Sequence, residues 1–143
     1  MNFYIEANIG AGKSTLVKNV AKKLRDVFAI SVQEFLEPTE RWENTPQGNI
    51  LALYGADQKT YAFITQTLIM ATFAEQRQNM EYESGVRIFE RGLDSARFIF
   101  QNLMEEQGLL TPLDSYTLNS LYGALKSSQP QADGVIYIKV NQE

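Results

Sequence analysis

Phe3-Tyr4-Ile5-Glu6-Ala7-Asn8-Ile9-Gly10-Ala11-Gly12-Lys13-Ser14-Thr15 sets a strand-length apolar run against a glycine-bearing loop and then a helix start. The spacing, a small residue, four positions and then Gly-Lys-Ser, is that of a phosphate-binding loop. Such a loop wraps successive backbone N–H groups around a phosphate, and bulky side chains at Gly10 and Gly12 would block the approach or forbid the backbone angles. The helix that follows adds its partial positive charge. Asn8, Ile9, Gly10, Ala11, Gly12, Lys13, Ser14 and Thr15 are therefore the candidate nucleotide-binding residues. Lys13 is placed to reach the β- and γ-phosphates, and the Ser14 hydroxyl to ligate Mg²⁺. Ala7 stands where the first glycine is usual. No Asn-Lys-x-Asp or Asp-x-x-Gly motif occurs, which disfavours a GTPase.

Working outward, three more segments are strand-length and apolar: Ala29 to Gln33, Val86 to Glu90 and Val135 to Val140. Helical patterns lie between them. Lys13 to Arg25 carries a stripe of Leu16, Val20, Leu24 and Val27. A longer helix is expected over Lys59 to Met80, and another over Ser95 to Gln107 with Phe98 and Leu103 toward a core, stopped by Gly108. Thr111-Pro112-Leu113-Asp114 supplies an N-cap hydroxyl, a proline at the first helical position and an early carboxylate, so a helix should run to Lys126. Alternation of this kind predicts an α/β fold, a parallel sheet flanked by helices, as a single domain over residues 1–143. The pattern leaves strand order open.

Composition narrows the chemistry. The 143 residues carry seventeen acidic and thirteen basic side chains, a net charge of −4, the wrong sign for neutralising a nucleic-acid backbone. Cys and His are both absent, which removes thiolate nucleophiles, disulfides, His-ligated zinc and Ser-His triads together. Acid–base work must fall to carboxylates. The N-terminus lacks the pattern of a secretion signal, and no apolar run reaches membrane-spanning length, so the expectation is an intracellular, cytoplasmic protein with its organelle open.

Leu36-Glu37-Pro38-Thr39-Glu40-Arg41-Trp42, Ala62-Phe63-Ile64-Thr65-Gln66-Thr67 and Phe89-Glu90-Arg91-Gly92-Leu93-Asp94-Ser95-Ala96-Arg97-Phe98-Ile99-Phe100 follow the loop in order. With it, they resemble the deoxyribonucleoside kinase family from the first strand to the last residue. The resemblance implies a P-loop kinase three-layer fold and ATP- and Mg²⁺-dependent phosphorylation of a deoxyribonucleoside at its 5′-hydroxyl, in nucleotide salvage. It implies Glu37 as general base, Arg91 on the transferring phosphate and Glu90 as a second Mg²⁺ group. A carboxylate base is chemically sensible here, since a loose phosphoryl-transfer transition state asks it mainly to orient the hydroxyl.

For the nucleoside, the resemblance implies Gln66 on the base edge, Ile69 and Phe73 as pocket walls, Phe100 stacked on the base, Ala96 setting the room beside it, and Trp42 and Tyr54 completing the site. A carboxamide can flip to suit cytosine or thymine. Purine- or cytidine-preferring members carry an Arg/Asp pair where this chain has Phe73 and Ala96, so a pyrimidine-leaning or broad specificity is expected. Three departures stand out: Gly92 for the usual Ser, Thr65 for a base-stacking Phe, and one extra residue between Tyr54 and Gln66.

The resemblance stops at Asp133 to Val140, three residues before the end. The family continues with an Arg-rich lid, a glutamate for the 3′-hydroxyl, a fifth strand and further helices. The expectation is therefore a C-terminally truncated domain lacking the last strand and lid. It would be weakly active or inactive alone and prone to self-association through Val135, Ile136 and Ile138 on a bare strand edge. The family also implies a homodimer through helices flanking the sheet. Two other readings stay open, a nucleoside monophosphate kinase and a non-catalytic nucleotide-binding or assembly module.

Overall fold

A computed structural model describes residues 1–81 and 84–140. Strands β1 (Asn2–Ala7), β2 (Val32–Phe35), β3 (Val86–Glu90) and β4 (Gly134–Ile138) form one wholly parallel sheet in the order β2-β3-β1-β4. The helices are α1 (Lys13–Phe28), α2 (Glu40–Glu43), α3 (Ile50–Ala56), α4 (Gln58–Gln78), α5 (Leu93–Ser95), α6 (Asn102–Glu106) and α7 (Pro112–Lys126), with a π-helical segment over Ala96–Gln101. This is the expected α/β class with a parallel sheet. None of the described helices is long and apolar enough to cross a membrane.

The chain gathers into two compact units. The first comprises Met1–Glu37, Glu81–Gly92 and Pro130–Glu143. Its sheet obeys the two-residue alternation of strands. Ile5, Val32 and Ile88 turn to one face and bury Val17 and Ala21 of α1. On the other face Tyr4, Phe89 and Phe35 stack in register, with ring centroids 4.7 and 4.9 Å apart. The α1 stripe is broader than the spacing foretold: Val17 and Ala21 are fully buried, Leu16, Val20 and Leu24 half-buried, and Val27 exposed.

The second strand starts later than Ala29. Ala29 takes a left-handed conformation (φ 53°) as the C-cap of α1, and the Ile30 N–H reaches back to the Leu24 carbonyl at 3.1 Å. That closing turn satisfies the helix's last carbonyls and removes both residues from the sheet. β4 lies at the end of the strand order among the described residues, with Val135, Ile136 and Tyr137 exposed and Ile138 packed against the α1-side core.

The second unit comprises Pro38–Met80 and Leu93–Gln129. Its core holds Trp42, Ile50, Ile69, Met70, Phe73, Leu93, Ala96 and Leu118. Asp57 caps α4 through the Thr60 N–H, and Thr111 with Asp114 forms the reciprocal capping box that the sequence announces. The helix expected over Ser95–Gln107 is broken by the π-helical segment. Bonds to the fifth residue back widen the turn there and shift the apolar register. As a result Phe98 and Leu103 stand 55% and 48% exposed, and Ala96, Gln101 and Met104 are buried instead. Two short helices, α2 and α3, carry no periodic signal long enough to read.

Candidate active site

The phosphate loop belongs to the first unit. Gly10 and Gly12 hold φ of 77° and 79°, which only glycine adopts freely, and a Cβ built at either would meet nothing within 4 Å. The loop face is thus an open cradle. Gly12 caps α1 without a side-chain bond, so the first N–H groups of the helix keep their capacity for an anion.

Lys13 is buried at the floor, where its Nζ donates to the Asn8 carbonyl at 3.1 Å. Burial lowers its pKa, the Arg91 charge acts in the same direction, and Glu37, Glu90 and Glu6 oppose both. Ser14 donates from Oγ to both carboxylate oxygens of Glu90, at 2.8 and 2.9 Å. Glu90 Oε2 also accepts the Glu37 backbone N–H at 3.2 Å. One carboxylate at the end of β3 therefore ties the helix start to the chain leaving β2.

Arg91 follows in a left-handed conformation (φ 56°), uncommon for a residue with a Cβ. It reaches the Ala7 carbonyl with Nη2 at 3.0 Å and the Glu37 carboxylate with Nη1 at 3.0 and 3.2 Å. Glu6 stands 4.0 Å from its Nε. Burial pushes the Glu37 carboxyl above the usual carboxylate range, while the charge and hydrogen bond of Arg91 pull it back. A cleft of about 340 Å³ is lined by Ile9, Gly10, Gly12, Lys13, Ser14, Thr15, Glu37, Glu90 and Arg91. Asn8 and Ala11 are not on its wall. Asn8 works from behind, its carbonyl holding Lys13 and the Ala11 N–H.

The fit to a nucleotide and a divalent ion can be tested on these atoms. Ser14 and Glu90 offer a hydroxyl and a carboxylate, hard oxygens of the kind Mg²⁺ takes from a protein while phosphate and water complete its shell. Among the described residues no group of three or more acidic side chains could hold a metal by itself. The donor set fits an ion that arrives with a phosphate.

The nucleoside candidates lie in the second unit. Trp42 is buried, donates its indole N–H to Thr72 Oγ1 at 2.8 Å and meets Phe73 edge-on with centroids 5.8 Å apart. Ile69, Phe73 and Ala96 join it in one core, and Gln66 donates from Nε2 to the Ala96 carbonyl at 2.6 Å. Tyr54 and Phe100 are half-buried and stand outside that cluster. Burial pushes the Tyr54 phenol up. Sequence reasoning missed Glu6, the Ala7 carbonyl and Thr72. Glu6 was visible only as a carboxylate at a strand end, and a backbone carbonyl or a helical threonine carries no motif.

The described residues combine a parallel α/β fold with a glycine loop of phosphate-binding spacing after β1 and an acid–arginine pair at the end of β3. The deoxynucleoside kinase family model matches residues 3–143, and the chain belongs to that family. It is similar to human mitochondrial thymidine kinase 2 (27% identical over 140 residues, 97% of this chain and 50% of that protein). It is also similar to the thymidine kinase of Ictalurid herpesvirus 1 strain Auburn, 32% identical over 108 residues, 76% of this chain and 44% of that one. A third relative is deoxycytidine kinase 2 of Gallus gallus, 27% identical over 170 residues, 97% of this chain and 60% of that protein. The chain spans about half the length of the first curated relatives it matches.

Proposed function

We propose that this chain belongs to an enzyme that transfers the γ-phosphate of ATP, with Mg²⁺, to the 5′-hydroxyl of a deoxyribonucleoside, pyrimidine-leaning, in nucleotide salvage. The observation that carries the reading is that Glu37, Arg91, Glu90, Lys13 and Ser14 line one cleft. In this reading the loop N–H groups and Lys13 hold the donor phosphates, and Ser14 with Glu90 holds the ion, which supplies charge neutralisation when bound. Glu37 orients the hydroxyl and takes its proton. Arg91 touches Glu37, and in this reading its planar guanidinium would meet the charge spread over the phosphoryl oxygens.

Trp42, Tyr54, Gln66, Ile69, Phe73, Ala96 and Phe100 are proposed to receive the nucleoside. Family membership and the kinase names of the relatives support this substrate class. Residues 1–143 are read as part of one kinase domain, working inside the cell where ATP is available. The family supports a homodimer, and the acidic balance of the chain argues against a nucleic-acid partner.

The test is calorimetric titration of Mg²⁺ with a non-hydrolysable ATP analogue, followed by a panel of thymidine, deoxycytidine and thymidylate as acceptors. Nucleotide binding with a nucleoside preferred to its monophosphate supports the reading. Thymidylate as the preferred acceptor contradicts it. ATP binding with no acceptor bound, unchanged by Glu37→Gln, would make the chain a nucleotide-binding module instead.

A further inference from the structure

Thr65 and Gln66, adjacent on α4, bury polar atoms that meet no hydrogen-bond partner, Oγ1 of the first and Oε1 of the second. Their exposures are 1% and 0%. An unpaired buried polar atom costs stability, so each such atom asks what its partner is. Neighbouring threonines solve the problem within the helix. Thr67 donates to the Phe63 carbonyl at 2.7 Å and Thr72 to the Leu68 carbonyl at 2.9 Å, whereas Thr65 makes no such bond.

Gln66 is half committed. Its Nε2 donates to the Ala96 carbonyl at 2.6 Å, and a flipped amide would set two carbonyl oxygens against each other. The amide oxygen is therefore left as an acceptor, and the Thr65 hydroxyl, one residue earlier, is left able to donate. At helical spacing Thr65 shares a row with Ile69 and Thr72, and Thr72 accepts the Trp42 indole N–H. Thr65 thus shares the row of α4 that meets Trp42 at Thr72, and Gln66, the next residue, reaches Ala96.

We propose that Thr65 is a specificity-determining residue, its hydroxyl donating to an acceptor on a heterocycle edge whose neighbouring N–H meets Gln66 Oε1. Lactam and amidine edges carry a donor beside an acceptor, and pyrimidine bases present one. The proposal rests on the nucleoside-kinase reading and deepens it. An internal water is the competing partner, since it would satisfy the same atoms without a ligand.

Equilibrium dialysis of labelled thymidine and deoxycytidine against the unsubstituted chain, Thr65→Val and Thr65→Ser tests it, with thermal unfolding followed in parallel. Valine keeps the shape and serine keeps the hydroxyl. The expected result is an affinity loss of about three- to tenfold for at least one nucleoside in Thr65→Val, restored in Thr65→Ser, with ATP-analogue affinity unchanged in both. Equal nucleoside affinity in Thr65→Val overturns the proposal and leaves Thr65 as a core or water-bound residue. Should the valine variant not fold, Thr65→Ala against Thr65→Ser gives the same comparison. An unsubstituted chain that binds the ATP analogue but neither nucleoside overturns the nucleoside reading, and this proposal with it.

Discussion

Arg91 grips both oxygens of the Glu37 carboxylate through a single nitrogen, at 3.0 and 3.2 Å, while its other terminal nitrogen holds the carbonyl of Ala7 at the entrance to the phosphate loop. One guanidinium therefore links the Glu37 carboxylate to the end of β1, where the glycine loop begins. The same contact opposes the larger effect of burial, which pushes the Glu37 carboxyl up.

The first consequence concerns titration. Burial raises the Glu37 pKa and Arg91 lowers it, so replacing Arg91 by Gln should move the Glu37 titration further up. A carbon NMR titration of the Glu37 carboxyl reads this directly. The sign for stability follows from the raised pKa. The folded chain holds the proton more tightly than the unfolded one, so the Glu37 contribution is present below the unfolded carboxylate pKa and is lost as pH rises through the folded value. Arg91→Gln should widen that window upward.

Gly12 offers a cleaner separation of backbone from ligand effects. Gly12→Ala puts a Cβ on a φ of 79° residue with nothing near it, so the folding cost is the left-handed penalty alone, about 1–2 kcal/mol. Urea unfolding should show that modest loss. The ATP analogue should bind far more weakly than this loss explains, because Gly12 lines the cleft proposed to take its phosphates.

Ser14 and Glu90 should behave as a pair toward the metal. Ser14→Ala and Glu90→Gln are each expected to weaken Mg²⁺-dependent nucleotide binding, with less effect on binding measured without the ion. Titrating the nucleotide with and without Mg²⁺ gives the difference. The double variant should lose less than the sum, since the two groups are hydrogen-bonded to each other.

In the second unit the Trp42 indole and the Thr72 hydroxyl form a buried hydrogen bond. Thr72→Val leaves the indole N–H without its acceptor and should cost about 1–3 kcal/mol in urea unfolding. Thr72→Ser should recover most of that.

Much of this was legible in the residues. The run from Phe3 to Thr15 announces a strand, a loop and a helix because glycine spacing and Lys-Ser chemistry coincide. Thr111-Pro112-Leu113-Asp114 gives α7 because capping is local. The second strand slid past Ala29 because a helix cap, which any residue can form at a cost, consumed the residues a strand would have used. Phe98 and Leu103 were misplaced because a π-helical turn changes the count per turn, and sequence periodicity assumes it constant. Motifs single out Glu37, Glu90 and Arg91, which line one cleft of the first unit. No motif marks the Ala7 carbonyl and Glu6 beside Arg91 or, in the second unit, the Thr72 acceptor of Trp42, since these contacts arise from which strand and helix pass nearby and leave no trace in spacing.

The proposed transfer requires Glu37 to face the nucleotide held by the glycine loop, across Arg91. Paramagnetic broadening of a labelled Glu37 carboxyl by the Mn²⁺ complex of an ATP analogue measures that relation most directly. The Glu37 signal should broaden together with those of Gly12 and Lys13. A Glu37 signal left sharp while the loop signals vanish would contradict it.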